Sequence, residues 1–145
     1  MRFEKTTSAG YLANHMARLF AQALHERIAP LGIVPGQFPA LLCLWEHDGV
    51  TQKELVAQLD IEQATMANTL TRMERDGLIR RTKHPSDARA QLIWLTAKAK
   101  DIRDKAYTAA NEVNTLALSG LGDREQADFI GCMTRVIAAI QDQES

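Results

Sequence analysis

Cysteine and long apolar runs are scarce in this sequence, and their scarcity excludes several classes of protein. The 145 residues include only two cysteines, Cys43 and Cys132, which lie far apart with no CxxC pair. This excludes a disulfide scaffold and a cysteine-rich zinc module, and it favours a reduced, cytoplasmic protein. The apolar runs are short, such as residues 41–45, whereas a membrane-spanning helix needs about 20 apolar residues. No apolar segment follows the charged start, so we expect neither a secretory signal nor a membrane partner.

Motifs of catalysis are absent as well. The sequence contains no phosphate-binding glycine loop, no GxSxG nucleophile motif and no HExxH metal motif. Its four histidines include no pair at the helical i, i+4 spacing. We therefore expect no enzyme and no cofactor. What remains is an ordinary globular composition, 46% hydrophobic and 24% charged, in a chain of single-domain length.

The net charge of −1 hides a strong division of charge along the chain. Residues 72–100 carry eight basic and three acidic side chains, for a charge of +5, and the stretches on either side of them are acidic. A local positive patch suits a polyanion, because each phosphate that it neutralises releases counterions. A solvated face with scattered charges is the alternative.

The spacing of apolar residues predicts a mainly helical chain with one hairpin. Apolar residues recur at intervals of three and four in six segments, which we predict to be helices over about 9–29, 36–47, 51–58, 62–75, 97–117 and 123–142. Two short segments rich in branched and aromatic residues, 78–82 and 91–95, predict a hairpin with a long polar tip. Thr51 and Glu54 predict a capping box, and Thr96 predicts a second helix cap.

The central segment predicts a helix-turn-helix followed by a wing. Two short helices joined by a tight turn place the second helix, about 62–75, in the major groove of DNA. Its outer face presents Thr65, Asn68, Thr69 and Arg72, of which Asn68 suits an adenine edge and Arg72 a guanine edge. Lys83, His84 and Arg89 lie on the predicted hairpin tip, where an arginine suits the narrow minor groove. A polar face that is merely solvated is the alternative.

These residues also carry a resemblance. Asp87-Ala-Arg89, followed by five residues and Leu95-Thr96, resembles the DxR-x5-LT wing signature of the MarR (multiple antibiotic resistance regulator) family. The run from Met73 to Arg81, MERDGLIRR, is similar to that family's passage from recognition helix to wing. Segments 31–38 and 51–55 fit the family too, so the likeness covers nearly the whole chain.

The resemblance implies a fold and a function. The fold is mainly α with a small two- or three-stranded β wing, in one domain over residues 1–145. Dimerisation helices in about 1–34 and 97–145 flank a winged helix-turn-helix in about 35–96. The function is that of a homodimer bound to a pseudo-palindromic operator on double-stranded DNA, usually as a repressor released by a small molecule. Carried over by position, Arg89 enters the minor groove, and Asp87 braces the wing by pairing with Arg89 or Arg81.

The outer helices predict the dimer interface. Both are apolar on more than one narrow stripe, and two subunits would bury those surfaces under two-fold symmetry. The predicted interface residues are Leu12, Leu19, Phe129, Met133, Val136, Ile137 and Ile140. A monomer with a helical subdomain is the alternative.

The resemblance also implies a pocket for an aromatic or phenolic effector, and five residues are candidates for its lining. His15 and Arg18 share one face of the first helix, where Arg18 suits a carboxylate and His15 a hydrogen bond. Gln37, Leu41 and Trp45 are candidate walls, although such an apolar stripe also suits plain core. An alternative is a metal- or redox-responsive regulator of the same fold that uses His15, His47 and Cys43.

Overall fold

The computed structural model describes residues 2–144 and places seven α-helices and two strands along them. The helices are α1 (Ala9–Ile28), α2 (Phe38–Glu46), α3 (Gln52–Leu59), α4 (Gln63–Arg75), α5 (Ala97–Asp101), α6 (Arg103–Ala117) and α7 (Asp123–Glu144). The strands are β1 (Ile79–Lys83) and β2 (Gln91–Leu95). This order confirms the predicted mainly helical winged fold.

Most predicted boundaries are within two residues of the observed ones, and two segments differ. The segment predicted as one helix over 36–47 begins with a 3-10 turn, Pro35–Gln37, and Pro39 lies in the first turn of α2, where its missing N–H is not needed. The helix predicted over 97–117 is broken at Ile102, which separates α5 from α6.

The predicted hydroxyl caps form, although the Glu54 carboxylate bonds the Thr51 hydroxyl and not the backbone N–H that a capping box uses. The Thr51 hydroxyl accepts a hydrogen bond from the Glu54 N–H at 3.2 Å and lies 3.3 Å from the Glu54 carboxylate. The Thr96 hydroxyl accepts one from the Ala99 N–H at 3.3 Å. Between α4 and β1, Gly77 adopts a left-handed conformation with φ of 75°, which is the usual role of glycine beyond a helix end.

The wing is an antiparallel hairpin in which Ile79 pairs with Leu95 and Lys83 with Gln91. Val50 adds an isolated bridge to Ile93. The Gly49 N–H donates to the Ile93 carbonyl, and the Ile93 N–H donates to the Val50 carbonyl, at 2.7 Å each. The sheet therefore has two strands and the rudiment of a third.

The chain divides into two compact units, residues 1–110 and 111–145. In the first unit, one core joins α2, α3, α4 and the hairpin. Its fully buried side chains include Leu41, Leu44, Leu55, Met66, Leu70, Met73, Leu78 and Ile93. The core extends into α5, because the Trp45 indole N–H donates to the Ala99 carbonyl at 2.9 Å.

The second unit contains the end of α6 and α7. The Gln126 amide donates to the carbonyls of Leu118 and Leu121 at 3.0 Å each, and the Glu125 carboxylate accepts from the Gly122 N–H at 2.9 Å. These bonds join the first turn of α7 to the loop that precedes it.

Within residues 2–144, no single helix is long and apolar enough to cross a membrane. The segments Ala9–Leu31 and Pro35–Glu46 reach the length and apolar composition of a membrane span only when they are taken together, and they meet at an angle of 92°.

Candidate DNA interface

The outer face of α4 presents the polar side chains that the sequence singles out. Thr65, Asn68 and Arg72 are exposed and Thr69 is half-buried, while the opposite face buries Met66, Leu70 and Met73 in the core. Among the described residues, neither the Asn68 amide nor the Arg72 guanidinium has a hydrogen-bonding or ionic partner. Their amide and guanidinium groups are therefore free to bind an external molecule.

Side chains from other elements hold α4 at both ends. At its start, the Gln52 amide of α3 donates to the side-chain oxygen of Gln63 at 3.0 Å and to its carbonyl at 3.3 Å. Beyond its end, the Lys98 ammonium donates to the Asp76 carbonyl at 2.9 Å, and the Thr96 hydroxyl donates to the Gly77 carbonyl at 2.6 Å. The exposed face of α4 thus has a defined position relative to α3 and the wing.

Asp76, directly after α4, receives two side-chain donors. The Arg75 guanidinium donates to its carboxylate at 3.0 Å, and the amide of Gln37 donates at 2.9 Å. These hydrogen bonds, Arg75 first and Gln37 second, lower the pKa of the Asp76 carboxyl below its ordinary value. The carboxylate is therefore ionised at neutral pH.

The tip of the wing is held by hydrogen bonds from backbone to side chain. The Nδ1 atom of His84 accepts from the backbone N–H groups of Ser86 and Asp87 at 3.1 Å each. The Asp87 carboxylate accepts from the backbone N–H of Arg89 at 2.9 Å. Asp87 thus holds the tip through the main chain of Arg89, and not through the predicted pairing with the guanidinium of Arg89 or Arg81.

That bracing leaves the basic groups of the tip exposed. Lys83 and Arg89 are exposed, whereas His84 is half-buried and holds the turn. Arg81, the other predicted partner of Asp87, instead lies with its Nε atom 3.6 Å from the Glu74 carboxylate of α4. Arg81 therefore forms an ion pair between the wing and the end of α4.

A cleft of about 560 Å³ lies between the wing and the starts of α3 and α4. Its lining includes the basic residues Lys53, Arg81 and Arg89 together with Thr51, Gln52 and Gln63. Glu54 and Asp87 also line it, so the cleft is of mixed charge. Gln52 and Lys53 were not among the residues predicted for the site, although their place in the first turn of a capped helix is a signal that could have found them.

The predicted effector residues lie in two different environments, exposed on α1 and buried around α2. His15 and Arg18 are exposed on α1, and Arg18 donates to Asn14. Leu41 is fully buried in the core, and the Gln37 and Trp45 side chains are buried with internal partners. Trp45 packs edge-on against Phe38 and Tyr107, with ring centroids 6.0 and 5.6 Å away. The burial of Gln37, Leu41 and Trp45 agrees with the alternative of plain core, and a ligand site lined by these residues stays a prediction.

The alternative metal site is not supported. No group of three or more His, Cys, Asp or Glu side chains among the described residues could hold a metal ion, so His15, His47 and Cys43 do not converge. Burial raises the pKa of the Cys43 thiol, and the Glu46 carboxylate raises it further. A raised pKa disfavours the thiolate that redox chemistry needs.

The predicted dimer residues fall into an exposed set and a half-buried set. Leu12 and Leu19 of α1 are 43% and 51% exposed. On α7, Val136, Ile137 and Ile140 are 55–57% exposed, whereas Phe129 and Met133 are half-buried. Large apolar side chains exposed along helices are typical of surfaces that another subunit covers.

Known proteins that are similar in sequence to this chain are transcriptional regulators. The profile of the MarR family matches residues 33–90. The HTH-type transcriptional regulator YwoH of Bacillus subtilis (strain 168) is 34% identical over 98 residues, which are 68% of each chain. The organic hydroperoxide resistance transcriptional regulator of the same organism is 41% identical over 96 residues, 66% of this chain and 65% of that protein. The chain thus spans about two thirds of the length of these relatives.

Solved structures share the fold. A MarR transcriptional regulator from Methanosarcina mazei Go1 superposes with a TM-score of 0.85 at 25% identity, over 92% of this chain and 96% of that one. The MepR–DNA complex of Staphylococcus aureus gives a TM-score of 0.83 at 22% identity, over 91% and 98%. PcaV from Streptomyces coelicolor, in complex with its natural ligand, gives 0.80 at 23% identity, over 97% and 99%. At these last two identities the likeness is one of fold alone.

Proposed function

This chain belongs to the MarR family of transcriptional regulators, and we propose that it acts as a homodimeric repressor of a pseudo-palindromic operator. The observation that carries the proposal is the exposed polar face of α4 beside a wing with free basic side chains. Asn68 and Arg72 would meet base edges in the major groove, and Arg89 would enter the adjacent minor groove. As a DNA-binding regulator, it would act in the cytoplasm.

The similar fold of MepR, which was solved in complex with DNA, supports DNA binding by this scaffold. Affinity would come from the positive stretch 72–100, and sequence choice from the side chains of α4. In the cleft between the wing and α3, the exposed Lys53 and Arg89 would contact a phosphodiester. No contact beside Glu54 or Asp87 is required.

A titration of labelled DNA tests the proposal. Fluorescence anisotropy would compare a duplex from upstream of the protein's own gene with a scrambled duplex at several salt concentrations. We expect tighter binding to the upstream duplex and a steep loss of affinity as salt rises. Equal, weak binding to both duplexes would leave only a generic basic patch, and no binding at low salt would refute DNA recognition.

Dimerisation is the second part of the proposal. The exposed apolar side chains of α1 and α7 would be buried between two subunits, and the two recognition helices would then address half-sites about one helical turn apart. Sedimentation velocity would report the mass in solution. A species at about twice 16.1 kDa is expected, and a monomer at micromolar concentration would refute this part.

Release by a small aromatic or phenolic effector is the third part. The similar fold of PcaV in complex with its natural ligand supports ligand control on this scaffold. Benzoic acid and phenol would be the first probes added to the preformed DNA complex, with cyclohexanecarboxylic acid as a non-aromatic control. Release by the aromatic probes alone is the expected result, and equal release by the control would contradict an aromatic site.

A further inference from the structure

The amide of Gln37 is the one polar side chain buried in the core among the described residues, with 4% of its surface exposed. Its oxygen accepts from the Val34 N–H at 3.2 Å, and its nitrogen donates to the Asp76 carboxylate at 2.9 Å. The two residues of the second bond are 39 positions apart. A buried amide with both ends bonded is costly to replace and gives a fixed geometry to the groups that it joins.

The bond joins the connection after α1 to the end of the recognition helix. Gln37 closes the 3-10 turn Pro35–Gln37, which contacts both α1 and α4. Asp76 is the residue that terminates α4, and its N–H completes the last turn by donating to the Arg72 carbonyl at 2.9 Å. The position of the α4 end is therefore coupled to the position of the turn that follows α1.

The apolar contacts of α4 differ in kind from this hydrogen bond. Met66, Leu70 and Met73 fill the core beneath α4, but apolar packing has no strong directional preference. The bond from Gln37 is directional, because donor and acceptor must stay near 2.9 Å and close to linear. Together with the hydrogen bonds from Lys98 and Thr96 at the same end, it can define the axial placement and rotation of α4.

We infer that Gln37 is a positioning residue for sequence recognition: through Asp76 it sets the placement of α4, although it is buried away from the DNA-facing surface. The inference rests on the proposed DNA-binding function. It predicts that loss of the bond lowers discrimination between operator and random DNA more than it lowers affinity for random DNA. A role in stability alone would leave that discrimination unchanged in the folded protein.

Gln37→Met tests this, because methionine has a similar length and no hydrogen-bonding amide. The matched control is Gln126→Met, which removes two 3.0 Å bonds from a half-buried glutamine in the second unit. We expect the ratio of affinities for upstream and scrambled duplexes to fall about tenfold in Gln37→Met and to stay unchanged in Gln126→Met. An unchanged ratio in folded Gln37→Met would overturn the inference.

An exchange of the two groups tests the pair directly. Gln37→Glu would set two carboxylates against each other, whereas Gln37→Glu combined with Asp76→Asn restores a bond with donor and acceptor reversed. The double variant should recover most of the discrimination that the single variant loses. If the double variant is no better than the single one, the Gln37–Asp76 bond is not the cause.

Amide hydrogen exchange in the free protein separates this inference from the proposed function. Exchange at residues 76–78 should quicken by about tenfold in Gln37→Met relative to the unaltered protein and to Gln126→Met. Asp76→Ala serves as the second variant if Gln37→Met fails to fold, with the same expected result. If the unaltered protein shows no DNA preference, the proposed function fails. Unchanged exchange would then independently overturn the placement role.

Discussion

At the tip of the wing, side chains hold the backbone and leave the cationic groups free. His84 and Asp87 use their acceptors on backbone N–H groups, so the loop is fixed without consuming a guanidinium. Arg89 is exposed within this fixed loop. A positioned but unpaired arginine loses less conformational freedom on binding than one on a mobile loop.

Arg89→Ala should therefore weaken binding to every duplex. The salt dependence should also fall, by about one released counterion per subunit, because one phosphate-neutralising charge is lost. Anisotropy at several salt concentrations measures both effects. Arg124→Ala, which removes an exposed charge from α7, is the control and should change neither. Unaltered affinity in Arg89→Ala would show that Arg89 of the wing does not contact DNA.

Base reading predicts a different pattern for α4. Asn68→Ala and Arg72→Ala should each cost about 1–3 kcal/mol on the operator and relax selection at one base pair per half-site. Competition with duplexes substituted at single positions would measure this. If Arg72→Ala lowers specific and random affinity equally, Arg72 contacts a phosphate instead of a base.

Cys43 should be a poor nucleophile, because its raised pKa leaves little thiolate at pH 7. In a Cys132→Ser background, alkylation by iodoacetamide at pH 7 should be slower than that of free glutathione. Mass spectrometry measures the rate, and the unfolded protein in urea provides the fully accessible control. Alkylation as fast in the folded as in the unfolded protein would restore Cys43 as a redox candidate.

Single residues were predicted well where one helix face decides their environment. The alternation of Met66, Leu70 and Met73 with Asn68 and Arg72 follows from the helical period alone. The role of Gln37 could not be predicted, because its partner Asp76 is distant in sequence and only the folded chain brings the two together. Polar residues at the start of a helix give no local signal of burial.

Among the elements, the hairpin depends on a close approach of backbone to an aromatic ring. Gly49 has φ of 74°, and a Cβ built on it would lie 2.6 Å from the Cη2 atom of Trp94. The Trp94 indole donates to the Thr82 hydroxyl at 2.8 Å, and the Arg80 guanidinium lies 5.6 Å from its ring. Two side chains of β1 thus hold the ring, and it cannot easily retreat.

Gly49→Ala should destabilise the fold by about 2 kcal/mol or more, because strain at a positive φ adds to a steric clash. Chemical denaturation measures the free energy of unfolding. Gly36→Ala is the matched control, since a Cβ there meets nothing within 4 Å and the φ is not positive. A loss of stability in Gly49→Ala no larger than in Gly36→Ala would contradict the close approach.

Element boundaries followed from the sequence wherever a cap marks them. Thr51 and Thr96 begin helices as predicted, and their hydroxyls form the expected bonds. The break at Ile102 was missed, because no proline or glycine announces it and the apolar period continues through it. The tertiary bond from Trp45 to Ala99 is one constraint on α5 that the local sequence cannot report.

For the whole molecule, the exposed apolar side chains of the outer helices remain the strongest argument for a dimer. Ile137 is 56% exposed, and the neighbouring Val136 and Ile140 are similarly exposed. Burying a large aliphatic side chain contributes about 1.5–3 kcal/mol. Several such residues in two subunits would therefore give a substantial interface.

Ile137→Glu should shift the protein toward monomer and weaken operator binding, because a carboxylate cannot be buried without a partner. Sedimentation velocity and anisotropy measure the two effects. Ala138→Glu introduces the same charge on the side of α7 that carries Arg135 and should leave the mass unchanged. A dimer of unaltered stability in Ile137→Glu would exclude this stripe from the interface.

The hydrogen bonds at the end of α4 limit where this chain could be joined to another regulator in a chimeric protein. Lys98 donates to the Asp76 carbonyl, and the Ala99 carbonyl accepts from the Trp45 indole. Both residues lie beyond the hairpin, yet they hold α2 and the end of α4 in place. A transplant cut at residue 96 would sever both bonds. Because the first compact unit continues to Ala110, the junction of a chimera belongs in α6 beyond that residue.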